Sequence, residues 1–311
     1  MALKLLKYET AQKGLKEIVD SAYSMKQNLS ARVKTPFLAD GTDLWDTWLD
    51  SKTFNLCGGV NQDDRYRFKI DHDFDLSRII SAKINSDGSI STDENIYNKS
   101  KGTEFIIISR RDVEGAEADY AIRADKYKNI QEQLNKGEYR INELKKAGAG
   151  GFKINEWLKP DKIPTHDGWI ELAVGKNNAS KKDYENASKF LKDKYVPLAE
   201  KRGCFSDGTG MGFFVRTDVK DCNVRPWCVG DSDSGSSANG GDDFDSDGRF
   251  LGVCSKKSAE GAREKKKVSK LPYTNKDVDS KINILEEVIN GKIGTLKLYK
   301  VKDFLQKIKK Y

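Results

Sequence analysis

One twelve-residue segment limits what this chain can fold into more than any other. Residues 65–76, RYRFKIDHDFDL, carry charged side chains at odd positions and apolar or aromatic ones at even positions, with His72 on the apolar side. Successive side chains of a β-strand point to opposite faces, so the pattern predicts a strand with one apolar and one charged face. At about 3.3 Å per residue it would run roughly 40 Å, which predicts a long hairpin arm or two strands broken by a bend.

Short apolar runs between turn residues predict further strands. They lie at 103–111, 210–219, 224–230 and 249–254. Residues 166–174, HDGWIELAV, predict a turn followed by a strand, and the Gly/Ser/Asp-rich residues 231–248 predict a long exposed loop.

Helical spacing is clearest over residues 112–147, where apolar side chains recur every seven positions, at Tyr120, Tyr127, Leu134 and Ile141. Although Arg123 and Gly137 interrupt this apolar stripe, the spacing predicts one long helix or a short helical hairpin. Two further helices are predicted, a terminal one over about 8–29 and another over 181–201. The fold class that follows is α+β, with an antiparallel β-rich core, long amphipathic strands, one long helix and a small basic C-terminal α/β appendage.

The charge of the chain is concentrated at its C-terminal end. Residues 255–311 hold 16 Lys and Arg against 7 Asp and Glu, whereas the remaining residues hold 39 against 41. This predicts a main domain over 1–254, a charged linker over 255–276 and a small basic module over 277–311. Non-specific contact with nucleic acid or another polyanion would use this segment. The candidate contacts are Lys265, Lys266, Lys267, Lys309 and Lys310.

The sequence gives no support for a membrane protein or for a protein secreted by a signal peptide. No apolar run reaches the roughly 18 residues that span a bilayer, and the first twenty residues lack the pattern of a signal peptide, so we expect a protein made in the cytoplasm, not secreted by a signal peptide and without a membrane partner. The five cysteines include no C-x-x-C pair, which favours reduced, buried thiols over a zinc site.

Residues 240–252, GGDDFDSDGRFLG, match the first half of a calcium-binding loop. Asp243, Asp245 and Asp247 take the first three ligand positions, and Gly248 takes the sharp turn. The twelfth position, ordinarily a bidentate acid, is Cys254. Because Asp-Gly is also typical of hairpin turns, the segment is either a weak calcium site or a metal-free turn that leads into a strand. No other cofactor is expected.

Catalytic patterns are sparse. Asp218 and Lys220 on one strand face, with Asp207 upstream, resemble the acid and lysine pattern of a Mg²⁺-dependent nuclease. A salt-bridged strand surface is the preferred explanation, and a nuclease is the second alternative for the function. His72 and His166 have no partner at the spacing of a catalytic triad or a metal site, which favours core histidines. We therefore predict a protein that is not an enzyme.

Two non-enzymatic functions fit these observations. Long strand arms, a terminal helix and flexible loops suit a structural subunit that packs against copies of itself or other subunits of an assembly, most concretely a virion. The alternative is a calcium- or carbohydrate-binding surface module that uses residues 231–248. Trp157, Trp169 and Trp227 would be its stacking platforms, or else anchors of the core.

Calcium titration tests whether the chain is a calcium-binding module. If Asp243, Asp245 and Asp247 hold an ion, millimolar calcium should release or absorb heat in a calorimeter and raise the melting temperature, because an ion that binds only the folded state stabilises it. Neither signal is expected from a metal-free turn.

Overall fold

The computed structural model describes residues 3–7, 18, 21–75, 85, 89–112, 118–137, 151–206, 210–241 and 248–253. The chain divides into two units, Met1–Cys254 and Ser255–Tyr311, and every described residue belongs to the first. The predicted linker and basic module therefore lie outside the described residues.

Eleven strands are described in the first unit. They are β1 Leu3–Lys7, β2 Leu49–Val60, β3 Tyr66–Asp71, β4 Ile90–Ser91, β5 Thr103–Ile108, β6 Tyr120–Arg123, β7 Phe152–Lys153, β8 Phe213–Phe214, β9 Cys222–Val229, β10 Ala238–Asn239 and β11 Arg249–Val253. The described α-helices are α1 Met25–Lys34, α2 Glu94–Lys99, α3 Ala124–Tyr127, α4 Gln131–Asn135, α5 Asp167–Val174, α6 Lys181–Phe190 and α7 Val196–Lys201. Among them, none has the length and apolar character needed to cross a bilayer.

The strands form one nearly closed, barrel-like sheet. Its main path runs β7-β6-β5-β3-β2-β9-β10-β8, with β11 beside β2, β1 beside β11 and β4 beside β9. The two ends of this path meet where the backbone N–H of Asn155, just after β7, donates to the carbonyl of Phe213 in β8 at 2.9 Å. The fold is therefore mixed α/β and rich in sheet, which confirms the coarse prediction.

Strand β2 is the centre of the sheet and is buried on both faces along most of its length. It pairs with β3 on one side and β9 on the other. Outside the barrel, α1, α5 and the α6–α7 segment pack on the same core, which includes the fully buried side chains of Trp169, Tyr195 and Trp227.

The predicted long helix over 112–147 is wrong. Residues 120–123 form strand β6, which pairs antiparallel with β5, and two short helices follow it. Tyr120, Tyr127 and Leu134 are all buried, but they join one apolar cluster from a strand and two helices instead of from one helix face. Strand pairing has overridden a helical spacing, and Gly137, at a φ of +68°, follows the end of α4.

Two other local predictions also need correction. Residues 167–174 form helix α5, whose buried Trp169, Leu172 and Ala173 have helical spacing, and not a strand. The long strand predicted over 65–76 ends at Asp71. Its charged side is not solvated: Lys69 is buried and donates to the carbonyl of Tyr97 at 2.9 Å, while Asp71 accepts from Ser100 Oγ at 2.6 Å.

Arg32 of α1 holds several of these elements together from within the core. Its guanidinium is fully buried and donates to neutral oxygens, namely Ser236 Oγ at 2.6 Å, Thr47 O at 2.7 Å and Gly230 O at 2.7 Å. Tyr195 OH lies 3.3 Å from the same group. Helix α1, the end of β9 and the segment that follows it are thereby joined at one buried charge.

Replacing Arg32 by Met should reduce the free energy of unfolding by about 3 to 5 kcal/mol, because several buried oxygens lose their donor at once. Urea denaturation measures the change. Lys34→Met, at an exposed position of the same helix, is the matched control and should change the stability by less than about 0.5 kcal/mol. Equal effects of the two substitutions would show that Arg32 has no special structural role.

Candidate functional site

The segment after β9, predicted as an exposed loop, is largely fixed where it is described. Residues 235–238 are buried. The backbone N–H of Ser234 donates to Asp231 Oδ1 at 2.8 Å, and that of Ser236 donates to the Asp231 carbonyl at 2.7 Å. Short polar residues here bond their own backbone, so the segment has a defined conformation that can support a surface site.

An exposed aromatic side chain lies against this segment. We use the name Trp157 surface for Trp157, Gly210, Phe214 and Gly235. The side chain of Trp157 is 47% exposed, and its ring stands edge to face against Phe214, with ring centroids 5.2 Å apart and an interplanar angle of 79°. The indole is thus held by a second ring while much of it faces solvent.

Glycine is required at this surface for two reasons. Gly235 has a φ of +66°, and a Cβ atom there would lie 3.2 Å from Trp157 Cζ3 and clash with the carbonyl oxygen of Gly210. A Cβ atom at Gly210 would in turn clash with the carbonyl of Leu158. The backbones around the indole are therefore packed at a distance that only glycine allows.

The other two candidate platforms are not at the surface. Trp169 and Trp227 are both fully buried. Trp227 packs against Phe213 with ring centroids 4.8 Å apart, and Trp169 lies 6.4 Å from the ring of Tyr195. The prediction that they stack on a ligand is wrong, and they are core anchors instead.

The predicted calcium and polyanion residues cannot be placed. Asp243, Asp245 and Asp247, and likewise Lys265, Lys266, Lys267, Lys309 and Lys310, lie outside the described residues. Within the part of the chain that is described, no three His, Cys, Asp or Glu side chains come close enough together to hold a metal ion. Calcium binding and polyanion binding stay predictions.

The nuclease pattern is not assembled as predicted. The strand in this region covers only Phe213–Phe214, so Asp218 and Lys220 do not share a strand face. Asp218 pairs with Arg216, with Nε 2.9 Å from Oδ1, which is the salt-bridged surface that the alternative describes. This ion pair holds the pKa of the Asp218 carboxyl below its ordinary value. Asp207 lies outside the described residues.

Both histidines are buried side chains with satisfied hydrogen bonds, as predicted. Nε2 of His166 lies 2.8 Å from the Lys153 carbonyl, and Nδ1 accepts from the backbone N–H of Trp169 at 3.3 Å, which caps α5. His72 lies between Thr53 Oγ1, 3.3 Å from Nδ1, and the Glu171 carbonyl, 3.1 Å from Nε2. Burial lowers the pKa of each to about 4, so both are neutral near pH 7.

The described thiols are those of a core, as predicted. Cys57, Cys204 and Cys228 are buried and Cys222 is half-buried. Burial raises the pKa of Cys57 to about 12 and that of Cys204 to about 11, so both remain protonated and unreactive. Cys254 lies outside the described residues.

One cluster of polar side chains was not found from the sequence. Arg123 at the end of β6 lies 3.4 Å from Glu171 of α5 and 3.2 Å from the hydroxyl of Tyr184 in α6. The signal in the sequence is that Arg123 interrupts the apolar stripe of the helix predicted over 112–147. A charged residue inside an apolar pattern can instead have a buried partner from another element.

Comparison with known proteins adds little to these observations. No family model matches the sequence, and no curated protein matches it either. Among solved structures, the chain is similar to one described as "Accommodation of massive sequence variation in Nanoarchaeota by the C-type lectin fold". The two are 14% identical with a TM-score of 0.47, over 81% of this chain and 97% of that chain. At that TM-score, the likeness carries no argument about what this chain binds.

The two histidines should make the protein sensitive to acid. Their folded-state pKa of about 4 lies below the ordinary 6.5, so the stability that they contribute is fully present above pH 6.5 and is lost as the pH falls through 4. The loss approaches about 3 kcal/mol for each histidine. Burial raises the pKa of the Glu171 carboxyl, which acts in the opposite direction.

Urea denaturation between pH 7 and pH 4 checks this expectation. Because only the slope against pH is compared, His72→Gln and His166→Asn can be judged even where they lower stability at pH 7. Each variant should show a shallower loss of unfolding free energy than the unmodified protein. An unchanged slope in both variants would mean that the histidines do not cause the acid sensitivity.

Proposed function

We propose that this protein is a non-enzymatic ligand-binding module that binds carbohydrate by stacking a sugar ring on Trp157. The observation that carries the proposal is the exposure of this one indole, 47%, at a closely packed surface, whereas Trp169 and Trp227 are fully buried. A large aromatic ring that is exposed to water has apolar surface without a packing partner. A ligand that stacks on the ring covers this surface.

The chemistry of the surface favours a sugar over a purely apolar ligand. One face of a pyranose ring carries C–H groups that can pack on an indole, while its hydroxyl groups need polar partners around the edge. Lys153 and Glu156 lie close to Trp157 in sequence and form a half-exposed ion pair at 3.4 Å, and Asp233 is exposed on the segment that contains Gly235. An aromatic platform with a few polar groups is the usual composition of a small-ligand site.

The absence of enzymatic activity is part of the proposal. Assembly into a virion, packing against copies of the chain and contact with nucleic acid gain nothing from the described residues and stay predictions. Calcium binding at Asp243, Asp245 and Asp247 would be a separate property of the same module, and its titration is independent of Trp157.

Retention on immobilised glycans and polysaccharides tests the proposal. The unmodified protein should bind at least one class of glycan, and Trp157→Ala should weaken that binding by at least about tenfold, because it removes the stacking surface. Trp157→Phe should retain a measurable part of the affinity because a smaller ring remains. The indole fluorescence should also become less accessible to a soluble quencher when the glycan is bound.

Phe37→Ala is the matched control, because Phe37 is another exposed aromatic side chain, 55% exposed, outside this surface. It should bind glycan like the unmodified protein. Two results would contradict the proposal: retention on no glycan, or equal losses in Trp157→Ala and Phe37→Ala.

A further inference from the structure

A cleft of about 450 Å³ lies where the end of β6 and α3 meet the beginnings of α5 and α6. It shares Arg123, Asp125 and Tyr184 with a neighbouring cleft of about 560 Å³. These clefts include none of the residues of the Trp157 surface. Together they have room for a ligand the size of an amino acid or a short peptide.

The guanidinium of Arg123 is held in a fixed orientation in this cleft. Tyr184 OH donates to Glu171 Oε2 at 2.8 Å and accepts from Arg123 Nη1 at 3.2 Å, and Thr103 Oγ1 donates to Glu171 Oε1 at 2.7 Å. The Glu171 side chain is only 1% exposed. A buried, fully hydrogen-bonded carboxylate therefore orients Arg123 from below.

The same guanidinium has N–H groups that remain available to a ligand. Its side chain is 29% exposed, and both hydrogen bonds that it donates within the described structure come from Nη1. Nε lies 3.6 Å from the exposed carboxylate of Asp125, and no described residue accepts from Nη2. An oriented guanidinium edge of this kind matches the two oxygens of a carboxylate.

Asp167 supplies a separate negative charge beside Arg123. Asp167 precedes Glu171 by four residues on α5, so the two side chains share a helix face about one turn, roughly 5.4 Å, apart. Asp167 is half-buried and its carboxylate makes no hydrogen bond or ion pair with a described residue. Burial raises the pKa of this carboxyl, and Lys126 and Arg123 oppose that rise.

The two clefts are lined by charges of both signs in nearly equal number. Their lining contains four cations and three carboxylates. The cations are Lys101, Arg123, Lys126 and Lys181, and the carboxylates are Glu104, Asp125 and Asp167. A phosphate ester would meet as much repulsion as attraction, and so would a simple cation, whereas a ligand with one charge of each sign would meet a partner for both.

We propose that this cleft binds a zwitterionic α-amino acid or the equivalent end of a small molecule, with its carboxylate on Arg123 and its ammonium group on Asp167. Arg123 and Asp167 both line this cleft, and the charge of Arg123 opposes the rise in the pKa of Asp167, so the two groups lie near each other and suit a ligand whose charges are close together. Ile170, which also lines the cleft, offers apolar contact to the ligand's side chain.

Titration calorimetry on the full chain, with defined probes at constant ionic strength, tests the proposal. Glycine and L-alanine should bind at millimolar concentration. Acetate and methylammonium, which carry only one of the two charges, should bind at least about tenfold more weakly, and γ-aminobutyrate, whose charges are farther apart, should also be weaker. Binding of acetate as tight as that of glycine would overturn the zwitterion assignment.

Substitutions of the residues that line the cleft test where the amino acid binds. Asp167→Asn and Arg123→Lys should each weaken the binding of L-alanine at least about tenfold, whereas Lys182→Gln, an exposed position on α6 outside both clefts, should leave it unchanged. If Arg123→Lys fails to fold because Glu171 loses its partner, Lys126→Gln replaces it and should also weaken binding. The proposal is wrong if no α-amino acid binds, or if Asp167→Asn and Lys182→Gln bind it equally.

Discussion

The buried guanidinium of Arg32 is the interaction on which the rest of this structure depends. Its charge is dispersed over neutral oxygens from a loop, the end of a strand and the segment that follows it, so each of these backbones has to be in place for the charge to be stable in the core. Ser236, one of its partners, has a left-handed φ of 54° and follows Gly235, which packs against Trp157. The conformation of the candidate ligand surface is thus set from inside the protein.

The closure of the barrel explains why that surface lies where it does. The hydrogen bond from Asn155 to Phe213 joins the two ends of the sheet, and Trp157 and Phe214 follow these residues by two and one positions. Asn155 also has a left-handed φ of 58°, and its side-chain oxygen accepts from the backbone N–H of Val215 at 2.9 Å. The two aromatic side chains meet where the ends of the sheet join. The candidate site therefore depends on the closure of the barrel.

The predictions from sequence succeeded for strands with a strong local pattern and failed where two elements share a pattern. Residues 222–229 and 249–253 form strands because their apolar runs are short and bounded by turns. Over 112–147 the seven-residue spacing was real, and its described members are buried, but they reach one cluster from separate elements. Trp157 was named as one of three candidates, and nothing in the sequence around it distinguishes it from Trp169, because exposure depends on what packs from outside the segment.

The amino-acid sequence was enough to predict a mixed α/β protein with strand-rich apolar runs, histidines and thiols in the core, and charge concentrated beyond residue 254. These follow from composition and short-range periodicity, which act through neighbours along the chain. Tertiary contacts bury Arg32, bring Arg123 and Asp167 to one cleft, and leave one of the three candidate tryptophans in contact with water. Each of these depends on residues tens of positions away, and local pattern carries no information about which distant backbone provides the partner.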